Sequence, residues 1–382
     1  MTRSLSIYLD LLRFLAALAV YLFHVGHFAK ARVGFVGNLG SEAVIVFFVL
    51  SGMLITLAAV REPSVGSFVQ ARICRLWSVC LPALALTLMA DIIGQYISFA
   101  SYHPMQQYSV FKWAASIGIN ALFLNQIWSF SIFPGTNGPF WSLSYEFWYY
   151  MLFAAFVYLK GAKRFVALGC ALLISGPSIL MAFPIWLLGT IVYFAVSRKS
   201  IAHLGTGWSI WLGSFAIAIA FSHFSLQNIL SEVFPTAAAN SKWGVNFWPA
   251  SYLIGIIVAL NIYGFASMGQ SLLAPLEKAS NVIRFGANIS FGLYLFHYPL
   301  MYLSVAVLNS MEIMSGIFFT ATVYIFPFII SVALALQCEK HKDIIYRFTQ
   351  FLFSSIFKRY NSSKLNKKIA PNGKLSPEQT IL

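Results

Sequence analysis

Apolar runs of about 20 residues, nearly empty of charge, recur along this chain as far as Gln337, and that is the length a helix needs to cross about 30 Å of hydrocarbon. A chain with such runs has few folds open to it. In hydrocarbon every backbone polar group must be bonded within the protein, so spanning segments are either helices or strands of a closed barrel. Barrel strands would alternate apolar and polar residues over about 10 positions, which these runs do not. Composition agrees: 59% of the residues are apolar and only 9% charged, against about a quarter charged in a soluble domain. The expected fold is all-α, a polytopic integral membrane bundle.

Hydropathy separates ten spans, at roughly 8–28, 41–60, 78–100, 139–159, 165–182, 184–197, 207–223, 248–266, 288–308 and 315–337. The run 111–133 is also apolar, but polar residues interrupt it and it reads as re-entrant or interfacial. Loop charge decides its status. With ten spans and a cytoplasmic N-terminus, most lysines and arginines fall inside, while Lys30, Arg32, Lys112 and Lys242 fall outside. Making 111–133 a span would invert every later loop, against the positive-inside bias. Both termini are therefore expected in the cytoplasm. The net charge of +14 is assigned to orientation and attraction to anionic lipid, not to nucleic acid.

The first span is interrupted by Arg13, exceeds a signal-peptide core in length and leads to no small-residue cleavage site, so it reads as permanent. Cys74, Cys80, Cys170 and Cys338 fall in a cytoplasmic loop, spans and tail, which implies neither a disulfide framework nor a metal site. Residues 1–337 read as one transmembrane domain, and 338–382 as a basic cytoplasmic tail with a polar, disordered end. No separate soluble domain fits, so any chemistry falls to the bundle and its loops.

Five segments place reactive side chains where hydrocarbon would exclude them. In the first, Asp10, Arg13 and His24 lie within YLDLLRFLAALAVYLFHVGHF. A charge at membrane depth costs about 2.5–3.5 kcal/mol on insertion scales, so it is kept for a partner or a task. Asp10 and Arg13 are one helical turn apart and can pair. Arg13 and His24 return to within about 20° of one helix face, about 16 Å apart along the axis. Their alternative is an inner-leaflet salt bridge with boundary histidines at 24 and 27.

In the second, GNLGSEAVIVFFVLSGMLI, Ser51 and Gly52 permit close approach of a helix or a ligand, and Glu42 lies at a depth where it could orient His24 or His27. In the third, Arg72 and Arg75 in ARICRLW form either a bidentate phosphate anchor or plain positive-inside charge. The fourth, GPFWSLSYEFWYY, embeds Glu146 among aromatic residues, including Trp141 and Tyr145, that suit sugar hydroxyls or an interfacial belt. The fifth, ISFGLYLFHYPL, sets His297 just before Pro299, where it can act chemically or satisfy a carbonyl freed by the proline.

Taken in order, these segments resemble the acyltransferase-3 family of membrane O-acyltransferases, which modify bacterial surface and secreted polysaccharides. The resemblance rests on Asp10, Arg13 and His24 in a D-x-L-R and R-x10-H pattern, FFVLSG at 47–52, Arg72 and Arg75, W-S-L-S-x-E ending on Glu146, and Y-L-x-H-x-P from Tyr294 to Pro299. It covers the whole ten-span region. Ile45 and Val46 stand where an acidic residue often precedes the FF pair, and Phe147 replaces a frequent second glutamate.

The resemblance implies acyl-CoA, expected as acetyl-CoA, as co-substrate, with no permanently bound cofactor and no metal. It implies a polysaccharide or lipid-linked glycan as acceptor, and the bacterial cytoplasmic membrane as location. His24 would be the general base, with Arg13 and Asp10 completing the catalytic set. Arg72, Arg75 and Ser51 would bind acyl-CoA, and Glu146, Tyr145, Trp141, Glu42 and His297 would bind or support the acceptor. A covalent route through Ser51 or Ser144 is the mechanistic alternative. The competing function is a transporter or flippase for a lipid-linked sugar, disfavoured by the absence of a visible internal repeat.

Overall fold

The computed structural model describes residues 1–31, 34, 37, 39–105, 109–197, 204–224, 226–233, 249–268 and 273–351. Among them there is no strand. The helices are α1 (Arg3–Phe28), α2 (Gly40–Arg61), α3 (Val65–Ile97), α4 (Val110–Ala121), α5 (Trp141–Tyr158), α6 (Gly161–Ser197), α7 (Leu204–His223), α8 (Leu226–Val233), α9 (Pro249–Ser267), α10 (Leu273–Lys278), α11 (Ser280–Ser310) and α12 (Ile317–Lys340). Among the described residues eight are long and apolar enough to cross a membrane: α1, α2, α3, α6, α7, α9, α11 and α12. The chain is an all-α polytopic membrane protein, and each of the ten apolar runs named above is helical for most of its length.

α6 holds two of those runs. Its 37 residues are divided at Gly176, where φ is 73° and ψ is 177°. A positive φ of that size is inexpensive only for glycine, and Pro177 then opens the second limb, where its missing N–H would have had no helical partner. The division therefore falls at Gly176 and not, as hydropathy placed it, beside Pro184, which stays inside the second limb. α5 is 18 residues long, and Glu146 with its hydroxyl-tipped aromatics keeps its hydropathy below that of the other eight.

The apolar run 111–133 is not one membrane-length helix. α4 has only 12 residues, about 18 Å of helix. The non-helical backbone after it is folded into the bundle, where the protein supplies its partners. Asn120 Nδ2 donates to the carbonyls of Ser116 and Ile132 at 2.8 and 3.0 Å. The Phe123 carbonyl accepts from Ser144 Oγ at 2.7 Å and from Trp148 Nε1 at 3.1 Å, so two residues of α5 hold this segment at depth.

The tightest helix crossing explains the glycine of FFVLSG. A Cβ on Gly52 would stand 1.9 Å from the Trp186 carbonyl oxygen, and one on Gly189 would stand 1.9 Å from that of Val49. α2 and the second limb of α6 therefore touch backbone to backbone, and this brings the Trp186 indole onto Ser51.

Arg3 pairs with Glu277 at 3.0 Å, and Tyr158 Oη donates to the Ala59 and Glu62 carbonyls. Arg13 of α1 also lines one cavity with Leu54 and Ile55 of α2 and Arg72 of α3, so the starts of α1 and α3 and the ends of α2 and α5 share one end of the bundle, termed here the basic end. Residues 342–351 are helical, and Phe348 lies 6.4 Å, ring to ring, from Trp77 of α3. The polar end of the tail, with Arg32, Arg198, Lys199 and Lys242, lies outside the described residues.

Candidate active site

α1 is one unbroken helix, so the spacing read from sequence survives in three dimensions: Arg13 and His24 lie on one continuous helix and line two different cavities. The first cavity, of about 320 Å³, lies toward the basic end. Its polar walls include Arg13 of α1, Ser51 of α2, Arg72 and Arg75 of α3, and Glu146 and Tyr150 of α5. Four of the five sequence segments therefore converge on one space, and the fifth reaches it through Tyr294 of α11.

Asp10 is 3.6 Å from the Arg13 guanidinium, as the one-turn spacing predicted. Arg72 and Arg75 have no carboxylate within ion-pair distance among the described residues. The Arg72 guanidinium lies over the Phe68 ring at 5.7 Å, and its Nε is buried with no hydrogen-bond partner among the described residues. A cavity with three guanidiniums and one carboxylate in its wall is suited to a polyanion, since partly desolvated arginines bind phosphate oxygens in bidentate fashion.

Glu146 does not stand where the sequence reading put it. It lines the arginine cavity, not the one bordered by His24. Its Oε1 accepts from Ser51 Oγ at 3.0 Å and from the Tyr150 hydroxyl. Ser51 in turn accepts from Trp186 Nε1 at 3.1 Å. Glu146, Ser51, Tyr150 and Trp186 therefore form a partly buried polar floor, built on the close crossing at Gly52.

The second cavity, of about 260 Å³, lies toward the opposite end and is lined by His24, Ser41, Trp141 and Tyr298 among others. Val44 and Tyr294 line both cavities. Trp141 lines this cavity, whereas Tyr145 is fully buried against Phe48, Trp141 and Tyr149 and borders neither space. Glu42 also borders neither, and its Oε2 is buried with no hydrogen-bond partner among the described residues. It does not orient His24, whose hydrogen-bond partner is His297; His27 is exposed.

His24 Nδ1 lies 2.9 Å from His297 Nε2, and His297 Nδ1 lies 2.7 Å from the Leu293 carbonyl. A carbonyl only accepts, so His297 Nδ1 carries the hydrogen. With both rings neutral, His297 Nε2 is then an acceptor, His24 Nδ1 must donate to it, and His24 Nε2 is left with its lone pair. The carbonyl actually freed by Pro299 is that of Leu295, and it is taken by Asn137 Nδ2 at 2.9 Å rather than by an imidazole. His297 is thereby released to hold His24.

Two further side chains hold the walls, and of these Asp91 has no place in the five segments. Tyr294 Oη donates to the Pro139 carbonyl at 2.9 Å and meets Ser142 Oγ at 2.8 Å. Asp91 of α3 is fully buried, and its two carboxylate oxygens accept from the Thr136 N–H at 3.0 Å and the Thr136 hydroxyl at 2.6 Å. Asp91 thus pins the 133–141 segment that walls the second cavity. The signal was there to read: it is the one acid in the run 78–100.

These walls come from the same strings that carried the family resemblance, and a family profile described as "Acyltransferase domain" (Acyl_transf_3) matches residues 6–336. The chain belongs to the acyltransferase-3 family. Similar proteins include "O-acetyl transferase" of Shigella phage Sf6, 31% identical over 166 residues, which are 42% of this chain and 48% of that protein. "Acyltransferase MdmB" of Streptomyces mycarofaciens is 34% identical over 152 residues, covering 37% of this chain and 36% of the relative. "Peptidoglycan O-acetyltransferase OatA" of Listeria monocytogenes is 26% identical over 340 residues, covering 79% of this chain and 50% of the relative. This acyltransferase-3 chain therefore spans half or less of the length of these relatives. No solved structure matches it significantly.

Proposed function

We propose that this protein is a membrane O-acyltransferase that moves an acyl group, acetyl foremost, from acyl-CoA to a hydroxyl of a cell-surface or exported glycan. The observation that carries the reading is the pair of adjoining cavities, one walled by three guanidiniums and the other by an imidazole with a free lone pair. The basic end faces the cytoplasm of a bacterial cell, in keeping with the positive-inside bias. Arg72 and Arg75 hold the phosphates of acyl-CoA there, and the thioester arm extends past Arg13 toward Val44 and Tyr294.

A sugar hydroxyl is too weak an acid to ionise at neutral pH, so its proton must leave as the new bond forms. His24 Nε2 takes that proton while the oxygen attacks the thioester carbonyl. The attack gives a tetrahedral oxyanion, while Arg13, held by Asp10 about three helical turns from His24, orients the donor from the arginine side. Collapse breaks the carbon–sulfur bond, and the CoA thiolate leaves with the proton returned from His24. The products are the glycan ester and free CoA.

Direct transfer fits better than an acyl-enzyme. Ser144 is fully buried and gives its hydrogen to the Phe123 carbonyl, and Ser51 is bonded to Glu146, Tyr150 and Trp186 with no imidazole beside it.

The test is mass spectrometry of the surface glycan from cells with and without the gene, paired with transfer assays on the purified full-length protein. Normal glycan export with missing ester groups, restored by wild type and not by His24→Ala, is the expected result. Unaltered ester content in the deletion strain would overturn the reading.

A further inference from the structure

We infer that Val44 and Tyr294 form the acyl-size filter of this protein, an inference that rests on the acyl-transfer reading above and extends it to donor specificity. Val44 and Tyr294 are shared by the arginine cavity and the His24 cavity. A thioester carbonyl that enters from the arginine side must come within bonding reach of a hydroxyl whose proton goes to His24. The reacting carbon therefore sits between these two side chains, and the substituent it carries must fit there with it.

The two walls differ in how they are held. Tyr294 is fixed by polar contacts, its hydroxyl to Pro139 and Ser142, with the Phe47 ring edge-on at 5.9 Å. Its ring has little room to yield. Val44 is held by packing alone, 8% exposed within the main apolar core. The room available to the acyl group is therefore set by the volume of the residue at position 44. In an apolar pocket one methylene more or less changes preference by about 10- to 200-fold.

Full-length wild type, Val44→Ala and Val44→Ile are supplied with equal acetyl-CoA, propionyl-CoA and butyryl-CoA in one reaction with the isolated surface glycan, and ester ratios are read by mass spectrometry. Val44→Ala is expected to raise the propionyl-to-acetyl ratio about tenfold, and Val44→Ile to lower it. The opposite signs keep the inference testable if one variant fails to fold. Acetyl ester formed with the same ratio in a folded variant would overturn the filter while leaving the enzyme reading intact. No ester from any donor in wild type would overturn both.

Discussion

His24 and His297, 273 residues apart in sequence, meet ring nitrogen to ring nitrogen at 2.9 Å, and the Leu293 carbonyl behind them dictates which nitrogen of each carries hydrogen. The pair resembles a base with its orienting partner, although neither residue is acidic. His297→Ala removes the acceptor for His24 Nδ1–H and frees the ring to turn. We expect kcat to fall about 100-fold, the cost of a misplacement of about 1 Å, with the KM for acyl-CoA changed little. An equal loss of donor affinity would instead assign His297 to structure.

His24→Ala deletes the base itself. General-base contributions are about 10²- to 10⁴-fold, so O-acylation should fall into that range while the protein still inserts into the membrane and keeps its unfolding temperature. The check is initial-rate measurement on purified protein, and transfer at the wild-type rate would remove His24 from the mechanism.

The Arg72→Ala, Arg75→Ala double variant should act on binding. Each charge-assisted bond contributes about 1.5–3 kcal/mol, so the Kd for acyl-CoA should rise at least tenfold, and its salt dependence should weaken. Equilibrium binding across ionic strengths measures both. Unchanged affinity would return the pair to a topological role.

Asp91→Ala leaves the Thr136 N–H and hydroxyl without their partner, at about 1–3 kcal/mol for each unsatisfied group. Because the segment it pins walls the His24 cavity, the KM for glycan should rise several-fold more than that for acyl-CoA. Asp91→Asn keeps one acceptor oxygen and should recover part of the loss in the same kinetic assay.

Gly52→Ala puts a methyl group where the Trp186 carbonyl oxygen stands. Overpacking of this kind costs about 1–3 kcal/mol, so thermal unfolding in detergent should shift downward and the Trp186 bond to Ser51 should be disturbed. An unfolding temperature equal to wild type would show that the crossing can open.

Much of this was legible in the chain alone, because hydrocarbon imposes a simple rule: apolar runs of sufficient length become helices, and a charge kept among them needs a reason. The ten runs and the Asp10–Arg13 pair follow from local composition and helical spacing. Those features depend on residues near one another in sequence. Where α6 divides is not legible in this way, because Gly176 and Pro184 both interrupt a helix in principle and only the φ of Gly176 distinguishes them.

What the sequence determined, then, was that Arg13, His24, Arg72, Arg75, Glu146 and His297 sit within or at the ends of membrane helices, at a cost that demands use. Only the tertiary structure decided how they divide: Glu146 with Ser51 in the arginine cavity, His297 behind His24, and Val44 with Tyr294 between the two spaces. The reason is physical. Spacing along one helix fixes which residues share a face, but which faces meet is settled by packing between helices, and here by the backbone contact that Gly52 and Gly189 allow.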